Sequence, residues 1–255
     1  MHVSKTVAEW LARRRELGGR SIGFVPTMGA LHRGHASLVE RCRRENEIAA
    51  VSIFVNPTQF NDSRDLQRYP RTMEQDLALL EKLGADDVFA PGVAELYPQG
   101  YRFHMEEDGM AQIMEGRYRP GFFSGVMTVV LKLLNLARAD RAYFGEKDYQ
   151  QLKLITEMTR HFFIPTEIVA CATVREPSGL AESSRNTLLS TAARQKAAAI
   201  YRALSTAPDC EHASACLKSQ GFTIDYVEEH WGRRFAAAHL EGVRLIDNVV
   251  IGELR

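Results

Sequence analysis

The chain has 255 residues, 45% hydrophobic and 25% charged, with 32 basic side chains set against 32 acidic ones. That is enough chain for one large or two smaller domains, and too balanced a charge to draw in nucleic acid or an anionic membrane at long range. The four cysteines, Cys42, Cys171, Cys210 and Cys216, show neither C-x-x-C pairing nor a spacing shared with histidines, and no apolar run is long enough to cross a bilayer; the expectation is a cytoplasmic protein without a zinc site, a disulfide framework or a membrane span.

Residues 6–17 have the periodicity of an amphipathic helix, with Val7, Leu11 and Leu17 near one stripe and Arg13 to Arg15 on a solvated face. Residues 21–25 (SIGFV) then read as a short buried strand, residues 26–31 as a tight turn, and a helix opens at Arg33 and runs to about residue 46. A strand that passes through a glycine turn into a helix leaves the first helical N–H groups unpaired at the positive end of the helix dipole, so this turn is expected to hold an anion. His32 and His35 share one helix face, and Gly34 lets a bulky group approach the backbone between them. A lone histidine pair at a helix start is more often a cap or plain surface; after a strand and a glycine turn it reads as a site.

The next apolar run, residues 48–55 (IAAVSIFV), is continuous, the mark of a parallel strand covered on both faces. Asn56-Pro-Thr-Gln59 follows it, then a polar loop to Pro70, a helix over 71–83 and a strand over 86–90. Open parallel sheets bind ligands at the C-terminal ends of their strands, which places Asn56 and Gln59 on the same rim as the histidines. Residues 101–115 suggest a small hairpin and a short helix, 117–125 a basic loop, and 126–137 an apolar central helix. A strand over 141–144 delivers Gly145-Glu146-Lys147-Asp148 to the rim, Lys147 being a compact charge suited to phosphate, and a helix over 149–162 carries Gln150 and Gln151 in its first turn. A strand at 166–170 closes the parallel sheet, and residues 174–179 (VREPSG) read as a hinge into a second unit with helices over 191–204 and 211–219 and strands over 223–227, 243–246 and 249–251.

The rim so assembled holds two imidazoles, a lysine, arginine, a serine pair and two carboxamides, but no Ser-His-Asp order, Cys-His pair, H-E-x-x-H, Walker lysine or G-x-G-x-x-G. What remains is polyphosphate chemistry, in which positioning and cations matter more than a protein nucleophile. His32, His35, Lys147 and Arg185 could supply that charge and carry the catalysis.

FVPTMGALHRGHASLV, SIFVNPTQF, YPRT, VFAPG with LYP, RPG, GEKDYQQL, SSRN and RLIDN, in that order from about Ser21 to Asn248, resemble the segments of the pantothenate synthetases, the pantoate–β-alanine ligases. The short H-x-G-H is shared with a broad class of nucleotidyltransferases; GEKDYQQL together with NPTQF is much narrower. The resemblance implies an α/β fold with a Rossmann-like domain over 1–173, a smaller α+β domain over 174–255 that closes as a lid, and a homodimer. It implies that ATP, with magnesium on its phosphates, and (R)-pantoate form pantoyl adenylate, which β-alanine then converts to pantothenate and AMP. By position, Met28, Gly29, Ala30, Leu31, His32, Arg33, Gly34 and His35, then Gly145, Glu146, Lys147 and Asp148, then Val174, Glu182, Ser183, Ser184 and Arg185 match the family's ATP contacts, with His35 as proton donor. Gln59 and Gln151 match its pantoate ligands, Gln59 also its β-alanine ligand, and Asn56 joins them by its place on the rim. No residue is assigned as a protein ligand to the metal.

Two departures stand out. Glu182 replaces a usual Met or Leu, and its side chain is expected to turn outward so that only its backbone reaches ATP; Phe122 replaces a usual histidine, leaving the polar role of that loop open. The rival readings are a nucleotidyltransferase acting on a phosphorylated acceptor, which calls for extra cations in place of Gln59 and Gln151, and a non-catalytic nucleotide-binding protein.

Overall fold

The computed structural model describes residues 1–252, and these divide into two compact units: Met1–Gly145 with Gln150–Cys171, and Glu146–Tyr149 with residues 172–252. Along the first run β1 (His2–Ser4), α1 (Val7–Glu16), β2 (Ile22–Thr27), α2 (Arg33–Glu45), β3 (Ile48–Ile53), α3 (Ser63–Arg68), α4 (Met73–Lys82), β4 (Asp87–Phe89), α5 (Val93–Leu96), α6 (Glu115–Tyr118), α7 (Phe122–Ala137), β5 (Arg141–Gly145), α8 (Tyr149–His161) and β6 (Glu167–Cys171) follow one another. Among the described residues the strands form one parallel sheet, in the order β1-β4-β3-β2-β5-β6. Winding runs from β2 through β3 to β4 on one side and from β5 to β6 on the other. The reversal falls between β2 and β5, the point at which open parallel sheets ordinarily place a ligand crevice.

The continuous apolar run of β3 is buried at every position, as a strand covered by helices on both faces must be. Val25, Val39, Val51, Leu80 and Val88 meet in the core on one side of the sheet. On α1 the inward residue that sequence reasoning overlooked is Trp10, 1% exposed, whose indole N–H donates to the Leu136 carbonyl at 2.9 Å and whose ring stacks on Phe89. The arginines of α1 are also not simply a solvated face: Arg13 pairs with the fully buried Asp87 at 2.6 Å, and Arg14 donates to the carbonyls of Ala137 and Arg138. Their stems cover apolar surface while their heads satisfy groups inside the rim of the unit.

Other elements correct the sequence reading. The loop before Pro70 contains α3, opened by Asp62 accepting the Arg64 N–H. Residues 101–115 hold a 3-10 turn, Met110–Gln112, in place of a hairpin. Helix α7 starts at Phe122, four residues earlier than expected, after a left-handed Gly121.

The second unit contains α9 (Thr191–Ala197), α10 (Ala199–Thr206), α11 (Cys210–Ser219) and an antiparallel sheet of β7 (Thr223–His230), β8 (Arg233–Leu240) and β9 (Val243–Val250), ordered β7-β8-β9. Ala197, Ile200, Leu204 and Leu217 pack on Ala236, Ala238 and Leu245. The single helix expected over 191–204 tightens at Ala198, where ψ of −16° gives a 3-10-like step. Strand β8 was not anticipated, because Arg-Arg-Phe-Ala-Ala-Ala-His-Leu lacks the β-branched residues that mark strands. The two strands expected on either side of Asp247-Asn248 are one unbroken strand, β9.

Candidate active site

Strand β2 ends at Thr27, whose hydroxyl donates to the Ser52 carbonyl of β3 at 2.7 Å and accepts the Gly29 N–H at 3.2 Å. The chain then passes through two left-handed residues, Gly29 (φ +78°) and Ala30 (φ +50°). Ala30 is strained there, and a neighbouring group must hold it. That group is the Asp76 carboxylate of α4, 3% exposed, which accepts the N–H groups of Leu31 at 2.8 Å and Ala30 at 2.9 Å and the Thr72 hydroxyl at 3.2 Å. Sequence reasoning missed Asp76, although a signal exists: it lies on the same helical stripe as Leu80 and Leu83, where an acidic residue has no packing role.

Helix α2 begins with the two histidines capping each other's turn. His32 Nδ1 accepts the Gly34 N–H at 3.1 Å, and His35 Nδ1 accepts the His32 N–H at 3.3 Å, with the rings 4.1 Å apart between centroids. A backbone N–H can only donate, so each Nδ1 presents its lone pair and the neutral ring carries its proton on Nε2. The capping reading and the site reading of this pair are therefore compatible, since one edge of each ring caps and the other is a donor. The expectation of bare helix-start amides needs correction. The N–H groups of Ala30, Leu31, His32 and Gly34 all have protein acceptors, because Asp76 and the imidazoles reach them first. The Nε2–H groups of the two rings are the donors that this capping leaves over.

After β3, Asn56 is 1% exposed and fully used: its amide donates to Gln59 Oε1 at 3.0 Å and to the Gly125 carbonyl at 3.1 Å, and its oxygen accepts from the Thr58 hydroxyl and the Tyr97 hydroxyl, each at 2.9 Å. Burial pushes the Tyr97 hydroxyl's pKa up, which keeps it a donor. Asn56 thus orients Gln59, turning its Nε2 toward Met28 Sδ at 3.1 Å. Gly125 makes this possible: a Cβ there would lie 2.5 Å from the Thr58 carbonyl oxygen and 2.9 Å from the Gln59 nitrogen. Phe122 lies under the Arg119 guanidinium at 3.6 Å, and Arg119 donates to the Gln59 carbonyl at 3.1 Å, so the loop keeps a polar contact with this turn through arginine. On α8 the half-buried Gln151 follows Gln150, which is consumed in holding the Met110 and Ile113 carbonyls and the Glu115 N–H.

In the second unit Lys147 lies 3.6 Å from Asp148 and its side chain is 18% exposed. Glu146 pairs with Arg233 at 2.6 Å. Ser183 caps the 3-10 turn Ser184–Leu188 by accepting the Arg185 N–H at 3.2 Å. Glu182 does not project to solvent. Its N–H donates to the Val174 carbonyl at 2.9 Å, beside the bridge between Arg175 and Ala181, and this fold-back buries the side chain to 8% exposure.

The family model described as pantoate–β-alanine ligase matches residues 1–250. The pantothenate synthetase of Bdellovibrio bacteriovorus is 49% identical over 249 residues, covering 98% of this chain and 99% of that one, and the Legionella pneumophila (strain Corby) enzyme is 45% identical over 252 residues, covering 98% and 100%. Among solved structures, the pantoate–β-alanine ligase of Francisella tularensis, complexed with β-γ ATP and β-alanine, aligns with a TM-score of 0.94 at 42% identity over 98% of this chain and 97% of that chain. Pantothenate synthetase from Thermus thermophilus gives 0.90 at 43% identity over 98% and 99%. A match along nearly the whole chain, to relatives close to half identical and built on the same pair of sheets, leaves one conclusion: this chain belongs to the pantoate–β-alanine ligase family.

Proposed function

We propose that this chain joins (R)-pantoate to β-alanine in two steps driven by ATP. In the first, a carboxylate oxygen of pantoate attacks the α-phosphorus and pyrophosphate leaves, forming pantoyl adenylate. In the second, the amine of β-alanine attacks the acyl carbon, its C–O bond to AMP breaks, the amine loses a proton, and pantothenate and AMP result. Both first-step reactants are anions, so positive groups govern the rate; a cation about 4 Å from a charged oxygen contributes roughly 4 kcal/mol at an effective dielectric near 20.

The observation that carries this reading is the histidine pair fixed through Nδ1 at the start of α2. Held as Nε2–H tautomers, His32 and His35 donate hydrogen bonds to phosphate oxygens without reorganising when charge develops, and His35, in the family's proton-donor place, keeps its N–H on the pyrophosphate as it departs. Met28 to Leu31, Arg33 and Gly34 complete the turn that receives the nucleotide. Lys147, with its neighbours Gly145, Glu146 and Asp148, and Arg185, with Ser183, Ser184, Glu182 and Val174, neutralise the leaving charge. Gln59, its Nε2 directed by Asn56, and Gln151 hold pantoate by neutral hydrogen bonds. A cation in their place would stabilise the attacking carboxylate's ground state and blunt it. Magnesium is carried on the nucleotide's phosphates; among the described residues no three His, Cys, Asp or Glu side chains group as a protein-borne site, and Asp76 is occupied by backbone N–H groups. The small unit acts as a lid, and the chain works as a homodimer in the cytoplasm.

Incubation with ATP, magnesium, pantoate and β-alanine, omitting each acceptor in turn, tests the reading. AMP release that requires both acceptors is expected. Adenylyl transfer to a phosphorylated acceptor, with indifference to β-alanine, would establish the nucleotidyltransferase alternative.

A further inference from the structure

Strand β9 places two polar side chains where a small sheet ordinarily keeps apolar ones. Asp247 is 5% exposed and Asn248 2%, and both are fully engaged. The Asn248 amide donates to two consecutive carbonyls, those of Glu146 and Lys147, each at 2.9 Å, and its oxygen accepts Arg233 Nη1 at 2.7 Å. Arg233 in turn reaches Glu146 Oε2 at 2.6 Å through Nη2 and lies 4.2 Å above the Tyr149 ring. The segment Glu146–Tyr149 is thus gripped from β8 and β9 at its backbone, at a side chain and at a ring face.

Asp247, the neighbouring residue, holds a different stretch. Its carboxylate takes Arg175 in a two-pronged pair, 2.6 Å to Nη1 and 2.9 Å to Nη2. Arg175 also donates to the Gly179 carbonyl at 3.1 Å and stacks on Tyr201 at 4.0 Å. The bridge from Arg175 to Ala181 and the Glu182 N–H bond to Val174 then carry this anchoring into the segment that leads to Ser183 and Arg185. Burial of such polar groups is favourable only when each is satisfied, as here, and a planar amide spanning two successive carbonyls fixes the path of the backbone between them.

We infer that Asn248 and Asp247 are positioning residues: Asn248, with Arg233, sets where Lys147 presents its ammonium, and Asp247, through Arg175, sets the segment that leads to Arg185. Neither touches a reactant in this scheme. The inference rests on the role proposed above for Lys147 and Arg185, and it explains why a strand near the C-terminal end of the described chain carries an acid and an amide side by side.

The test is a double-mutant cycle on the first step, following pyrophosphate release with ATP, magnesium and pantoate. Asn248→Asp keeps size and the acceptor for Arg233 but turns an oxygen toward two carbonyls. Tenfold or greater loss of kcat is expected in the wild-type background and less than twofold in the Lys147→Ala background, with the KM for pantoate little changed. Equal losses in both backgrounds, or full activity in folded Asn248→Asp, overturn the inference. If that variant fails to fold, Arg233→Gln enters the same cycle and is judged by the same pair of losses. Near-normal turnover by Lys147→Ala alone defeats the role given to the lysine; a Lys147→Ala defect without an Asn248→Asp or Arg233→Gln defect defeats the positioning inference only.

Discussion

The turn before α2 is stiffened by its own two histidines and by Asp76, 45 and 46 residues from the groups it holds, whereas Lys147 is held through its carbonyl by Asn248, 101 positions further on. In the first, Asp76 and two histidines account for four backbone N–H groups, all within the β2-α2-α4 portion of the sheet unit. In the second, Asn248 and Arg233 do the holding, and both come from the antiparallel sheet. The contrast teaches that equivalent tasks, which in the proposed scheme are to fix a donor where phosphate charge develops, can be met by histidines that cap their own turn or by clamping from a distant sheet. The two solutions fail differently. Damage to β9 should misplace the lysine and spare the imidazoles; damage to α4 should do the reverse.

His35→Ala is the strongest way to sharpen that contrast. It removes the Nε2 donor together with the cap on the His32 N–H, and a loss of about 10²- to 10³-fold in kcat is expected, the range seen when one preorganised donor is deleted. Rates of pyrophosphate release check it, and turnover within threefold of the parent would remove His35 from the chemistry. Gly125→Ala comes next. Its Cβ would meet the Thr58 carbonyl, a backbone atom that cannot swing aside, so the Gln59 turn must shift. Stability is expected to fall by about 1–3 kcal/mol, with KM for pantoate and β-alanine rising near tenfold and KM for ATP steady. A uniform rise in all three constants would show that the glycine does not act through Gln59. The smallest effect belongs to Asp76→Asn, which leaves one backbone N–H facing an NH₂ group and should cost about 1–3 kcal/mol of stability with a several-fold rise in KM for ATP. Lost stability with an unchanged KM for ATP would reduce Asp76 to scaffolding.

Much of the first unit was legible because its signals are local. Continuous apolar strands, a glycine turn and a histidine pair three apart all announce themselves within a few residues, and β2, α2, β3 and β5 lie close to where periodicity placed them. Asp76 was hidden because its partners are backbone groups 45 and 46 residues away. Asn56 follows the end of β3 as the sequence indicated, but its work, orienting Gln59, depends on Tyr97 and Gly125, which no local pattern connects to it. The second unit was harder to read. Alanines in β8 give no strand signal, and Asp247-Asn248 looked like an interruption of β9 because acids and amides are rare inside strands. That apparent break is where the strand carries its clamps, a local rule set aside to hold Glu146, Lys147 and Arg175.

The two-step scheme is tested most directly by the fate of oxygen. Pantoate labelled with ¹⁸O in its carboxylate is turned over with ATP, magnesium and β-alanine, and AMP is analysed by mass spectrometry. One labelled oxygen in AMP is expected, because the pantoate oxygen that attacks phosphorus stays with it when the amine displaces the acyl group. AMP free of label, with one heavy oxygen kept in the pantothenate amide and the other found in phosphate, pyrophosphate or water, would contradict an acyl adenylate and the roles assigned to the residues around it.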